Sequence, residues 1–148
     1  MSMPIDDPFS LQRFVKAQQD VYADVCAELR AGAKQSHWMW FIFPQIEGLG
    51  SSSMAKQLAI GSQQEAQAYL QHPLLGPRLR ECTALVNRVE RRSLEQILPW
   101  PDHMKFRSSM TLFAQVTADN AVFLEALRKY CDGEPDPRTL EQLRAMRT

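Results

Sequence analysis

Three stretches of this chain group residue types that can hold a ligand. The first is Ser36-His37-Trp38-Met39-Trp40-Phe41-Ile42-Phe43-Pro44-Gln45. It sets indole and phenyl faces beside one imidazole, His37, and one amide, Gln45. Flat apolar walls with a few fixed polar groups are how many small-ligand pockets are built. The competing reading is that Trp38, Trp40, Phe41 and Phe43 only fill the core, where large apolar side chains normally lie.

The second stretch is Gly48-Leu49-Gly50-Ser51-Ser52-Ser53. Glycines let backbone amides approach an anion, and a helix starting just after them favours negative charge. The stretch lacks the third glycine of a dinucleotide fingerprint and the Gly-Lys-Ser/Thr ending of a phosphate loop. A plain loop closed by a serine helix cap also explains it. The third stretch is Asp102 to Phe113. On a helical wheel Phe106, Met110 and Phe113 share one face, and Asp102, Lys105, Ser108 and Ser109 share another. The later half is apolar nearly all round, which marks a buried helix. A buried lysine needs a partner. Asp102 can supply one, or Lys105, Ser108 and Ser109 can form an anion cradle.

These complementary chemistries predict one cavity facing all three stretches. Around it stand His37, Trp38, Trp40, Gln45, Gly50, Ser53, Lys105, Ser108 and Ser109. Such a site suits a ligand with a ring at one end and a phosphate or carboxylate at the other.

Other chemistries lack their residues. There is no Gly-x-Ser-x-Gly nucleophile elbow and no His-Glu-x-x-His motif, and His37, His72 and His103 are far apart. The carboxylates show no obvious catalytic pair. No metal or cofactor is expected, and no catalytic residue is assigned. Cys26, Cys82 and Cys131 are odd in number, widely spaced and free of any CxxC pair. They are expected to be reduced, mostly buried thiols.

The elements that must position these groups read as helices. Asp7-Pro8 predicts a cap and first helical residue, with Phe9, Leu11, Phe14 and Val15 following at near-helical spacing. Val21, Val25 and Leu29 form a second stripe that ends near Gly32. Ser36–Gln45 is apolar throughout and carries no readable period. A buried helix is favoured there, because no partner strand is visible. Ser62 and Glu65 predict a capping box, and His72-Pro73 predicts a break. A long helix is expected from Pro77 to about Arg91 and a short one over Ser93–Leu98. Pro101-Asp102 opens a stretch to Thr117. Asn120–Tyr130 is a helix closed by Gly133, and Asp136-Pro137 caps the last. The fold class expected is all-α, a multihelical single domain over residues 1–148.

The bulk properties agree. A chain of 148 residues suits one domain with a sizeable core. Seventeen basic residues balance 17 acidic ones, which argues against general nucleic-acid binding. Met1 to Asp7 is polar and acidic and resembles no signal peptide. The longest apolar run, Trp38–Phe43, is too short to span a bilayer. A cytoplasmic protein without membrane attachment is therefore expected.

Taken together, Asp7-Pro8-Phe9, Leu11-Gln12-Arg13-Phe14, Ser36–Gln45, Gly48-Leu49-Gly50, Ala68-Tyr69-Leu70, His72-Pro73, Leu75-Gly76 and Lys105–Phe113 resemble a bacterial family of unknown function. Its members often carry the automatic label "calpastatin". The resemblance covers nearly the whole chain and implies a compact multihelical domain, without any established activity. The functional expectation is binding of a small anionic or nucleotide-like ligand. The alternatives are a non-enzymatic helical interaction domain and a hydrolase of N-glycosidic or ADP-ribose-type substrates.

Overall fold

The computed structural model describes residues 7–146, so the expected polar opening lies, but for Asp7, outside the described residues. Ten helices are present among them, and no strand.

Helix α1 (Gln12–Gln18) begins later than Asp7-Pro8 suggested. Asp7 does cap it, at longer range: its carboxylate accepts from the Leu11 and Gln12 amides at 2.8 and 3.0 Å, across a turn in which Ser10 takes φ 54°. Helix α2 (Tyr22–Arg30) buries Val25, Cys26 and Leu29. Gly32, at φ +73°, closes it as expected, with the Gly32 amide bonded to the Leu29 carbonyl.

The aromatic stretch departs from expectation. Only Met39–Ile42, α3, is helical, a single turn. The chain then runs irregularly to an isolated parallel bridge, Ile46 to Ile60. There the Ile60 amide donates to the Gln45 carbonyl and the Glu47 amide to the Ile60 carbonyl, each at 2.8 Å. The unbroken apolar run reflects burial: Trp38 and Phe41 are both inside, as are Ile42 and Phe43.

Ser52 caps α4 (Ser53–Gln57) through the Ala55 amide. Ser62 caps α5 (Gln63–Gln71) through the Glu65 amide at 3.0 Å. The reciprocal half of the expected box is absent. Glu65 instead accepts from the Gly61 amide and pairs with Arg13 at 2.6 Å, because its side chain is buried and the guanidinium is its counter-ion.

Helix α6 spans Leu75–Arg88, earlier at both ends than the sequence suggested. The His72 imidazole Nδ1 accepts from the Leu74 and Leu75 amides at 3.1 and 3.2 Å, so the break at His72-Pro73 is also the next helix's start. Helix α7 (Leu94–Ile97) carries a complete Ser93–Gln96 capping box. Helices α8 (Asp102–Val116), α9 (Ala121–Cys131) and α10 (Pro137–Met146) follow as read, with Asp136 accepting from the Thr139 amide.

Helix α8 is the axis of the molecule and packs on α5, α7, α9 and α10. Its Phe106 meets Phe43 edge-on at 4.9 Å, and Phe43 meets Trp38 at 6.2 Å. Its Phe113 joins Tyr69 and Phe123, at 5.4 and 6.0 Å. The result is a compact all-helical fold with one hydrophobic cluster drawing on every helix but α4. All three cysteines are free, with Cys26 and Cys82 buried. Among the described residues, no helix is long and apolar enough to cross a membrane.

Candidate functional site

The Ser36–Gln45 stretch is held in place by a residue outside every motif, Glu28. Its carboxylate accepts from the Gln35 and Ser36 amides at 2.6 and 3.0 Å, from Ser36 Oγ at 2.6 Å and from Trp38 Nε1 at 2.9 Å. Burial pushes its pKa up, but these bonds outweigh burial and hold it below the usual carboxylate value. This clamp explains why the segment is a bent loop with one helical turn.

A charge cluster sits beside the clamp. Asp102, in the first turn of α8, lies between two lysines: Lys34 Nζ is 3.0 Å from Oδ2 and Lys105 Nζ is 3.9 Å from Oδ1. Each ammonium also sits over an indole, Lys34 on Trp38 at 5.2 Å and Lys105 on Trp40 at 5.1 Å. The side chains of Lys34, Asp102 and Lys105 are 10, 16 and 26% exposed. Two partly buried cations thus share one carboxylate.

Four of the predicted site residues meet here. Trp40, Gln45, Gly50 and Lys105 wall a recess of about 10 Å³, room for about one water molecule. The Gln45 side-chain amide has no partner among the described residues. Beside the recess lies a cleft of about 230 Å³ bounded by Glu47, Gly48 and Lys56. The two hollows share Gly50, Ala55 and Ala59, so Gly50 of the Gly48–Ser53 loop lies between them.

The other five expected residues do not line the recess. His37 is exposed, and so is Ser53 on α4. Trp38 lies buried, its indole N–H spent on Glu28. Ser108 is bonded to Thr139 Oγ1 at 2.7 Å, and Ser109 is fully buried with its hydroxyl unpaired. The cradle of Lys105, Ser108 and Ser109 is therefore not formed. Lys105 stands at the edge of α8, whereas one turn on α10 and the core close over the helix. The single shared cavity is reduced to four of its nine residues.

Sequence reasoning missed a larger groove of about 600 Å³, lined by His103, Met104, Arg107, Lys129, Tyr130 and Cys131. Lys129 Nζ donates to the Asn87 and Val89 carbonyls, both at 2.6 Å, and Arg107 to those of Glu134 and Pro135, both at 3.0 Å. His103 Nδ1 is buried without a partner. Burial pushes the Cys131 thiol up despite the nearby Arg107, so it is no thiolate nucleophile. The groove's walls come from separate elements, and no local motif marks it. Among the described residues no group of three or more His, Cys, Asp or Glu side chains is arranged to hold a metal ion.

An all-helical core with small hollows along one central helix is thus the class of protein defined here. The chain belongs to a family described as "Protein of unknown function (DUF1810)", which matches residues 8–143. It is similar to a solved structure, that of the conserved hypothetical protein Rv1873 from Mycobacterium tuberculosis. The two share 58% identity and superpose with a TM-score of 0.92, over 93% of this chain and 99% of that one. None of the curated proteins matches it.

Proposed function

We infer that this protein binds a small anionic, ring-bearing ligand, nucleotide-like in shape, at the mouth between Trp40 and Lys105. The observation that carries the reading is the sharing of Asp102 by Lys34 and Lys105. The looser of the two pairs, at Lys105, is the one that an incoming phosphate or carboxylate replaces. The Trp40 face supplies stacking and Gln45 a free amide, Lys105 takes the charged end, and the adjoining cleft beside Gly50 leaves room for the rest of the ligand. Because the recess holds about one water molecule, a ring enters only as the loop lifts from Ala55.

The reading is one of binding, without a reaction assigned. Hydrolysis of an N-glycosidic bond needs a positioned acid or base, and Asp102 is already engaged by both lysines while His37 stands outside. One continuous core from α1 to α10 supports a single domain. The three free thiols fit a reducing, cytoplasmic setting. A partner-binding role rests on a different observation, the exposure of Trp100 (75%) and Met104 (55%) at the start of α8. Trp100→Ala separates the two, since it leaves ligand binding untouched.

The test is a thermal-shift screen against nucleotides and phosphometabolites. A ligand at 100 times its Kd stabilises the native state by about 2.7 kcal/mol, or about 5–10 °C for a chain of this size. Lys105→Ala should abolish the shift without lowering the ligand-free midpoint by more than about 2 °C. Absence of any shift across the set, or a shift that survives Lys105→Ala, would overturn the proposal.

A further inference from the structure

A separate groove of about 610 Å³ lies where α2, α6 and the start of α9 meet. Three arginines line it: Arg30 from the last turn of α2, and Arg80 and Arg88 from α6. Arg80 is tied to Asp119, donating to its carbonyl at 2.9 Å and lying 3.7 Å from its carboxylate. The Arg30 and Arg88 side chains have no ion pair or hydrogen bond among the described residues. The groove's other acid, Glu81, accepts from the Tyr22 hydroxyl and has no cationic partner among the described residues. Three guanidiniums against the Asp119 and Glu81 carboxylates leave the groove a local excess of one positive charge, with Arg30 and Arg88 the two cations not tied to an acid.

The spacing adds to the charge. Arg80 and Arg88 are eight residues apart on one helix face, a rise of about 12 Å. One small anion does not reach both, whereas a chain of linked phosphates does. Between them the floor is apolar, formed by Ala84 and Leu85 with Val122 opposite. Guanidinium forks match phosphate oxygens in pairs, and the volume falls in the range of small-molecule pockets.

We propose that this groove binds a polyphosphate group, carried by a molecule whose apolar part rests on Leu85 and Val122. The site is independent of the Trp40–Lys105 mouth, so its test uses the full chain carrying Lys105→Ala, in which binding at that mouth is removed. Isothermal titration at fixed ionic strength compares sodium orthophosphate, sodium tripolyphosphate and a nucleoside triphosphate. Tripolyphosphate is expected to saturate one site and to bind at least tenfold more tightly than orthophosphate, with the nucleoside triphosphate tighter still. Adding Arg30→Gln and Arg88→Gln should weaken tripolyphosphate at least tenfold with the unfolding midpoint unchanged, since both side chains are exposed. Unsaturable heats, equal affinity for orthophosphate, or affinity that survives loss of both arginines would overturn the proposal. A nucleoside triphosphate no tighter than tripolyphosphate would remove its apolar half.

Discussion

At the scale of single residues, the two hydroxyls on α8 make opposite predictions. Ser109 is fully buried with its Oγ unpaired, so Ser109→Ala relieves a buried polar group. It should leave stability unchanged or raise it by up to about 1 kcal/mol. Ser108→Ala breaks a 2.7 Å bond to Thr139 and should cost about 1 kcal/mol. Urea denaturation of both variants reads the pair, and equal losses would show that the two hydroxyls are equivalent after all. Glu28 gives a pH-dependent prediction. Its folded pKa is depressed, so its contribution is present above the unfolded carboxylate value of 4.5 and is lost as pH falls below it. Glu28→Gln should cost about 2 kcal/mol at pH 7, allowing for partial solvent screening. The difference from the parent chain should shrink toward pH 3, and a difference constant from pH 7 to pH 3 would refute the clamp. Some of this was legible in the sequence. The Asp102–Lys105 spacing announced an i,i+3 pair, which exists at 3.9 Å. Lys34, 68 residues from Asp102, makes the closer pair, and no local pattern reports a contact at that distance in sequence.

At the scale of elements, Gly76 sets the crossing of α5 and α6. A Cβ there would lie 2.0 Å from the Leu70 carbonyl oxygen and 2.8 Å from its carbon. In an ordinary helix, glycine to alanine gains roughly 1 kcal/mol. Here the obstacle is backbone, which has no rotamer to swing aside, and the sign inverts. Gly76→Ala should lose about 3 kcal/mol by chemical denaturation, and any gain in midpoint would contradict the packing. Helix boundaries were readable where a side chain signals within its own turn: Ser62, Ser93, Asp136 and the glycine after α9. They were unreadable where the signal comes from a partner elsewhere. Glu65 left its box for Arg13, and α3 shrank to one turn because Glu28 and the Ile46–Ile60 bridge bend the chain on either side.

At the scale of the whole molecule, the core joins two aromatic chains through α8. Phe113→Ala should cost roughly 3–5 kcal/mol, because its ring is fully buried against Tyr69 and Phe123. A midpoint close to the parent's would show that the core is looser than it looks. Thiol reactivity follows the same geometry. Burial pushes Cys82 up to about 12, so Ellman's reagent at pH 8 should find Cys82 unreactive until the chain unfolds, when three thiols should appear. Rapid modification of Cys82 in the native protein would contradict its burial. The all-helical class was legible because the caps and stripes are local. The hollows were not, because each draws its walls from helices far apart in the chain.

The three indoles, finally, occupy three different settings: Trp38 sealed in the core, Trp40 half-buried under Lys105, and Trp100 75% exposed. The protein therefore carries its own optical probes. Trp100 should emit furthest to the red and be quenched by iodide in the native state. Trp38 should emit to the blue and change only on unfolding. Trp40 alone sits where an arriving ring would dim it, so quenching on ligand addition that is lost in Trp40→Phe reads occupancy of the Lys105 mouth from fluorescence without any added label.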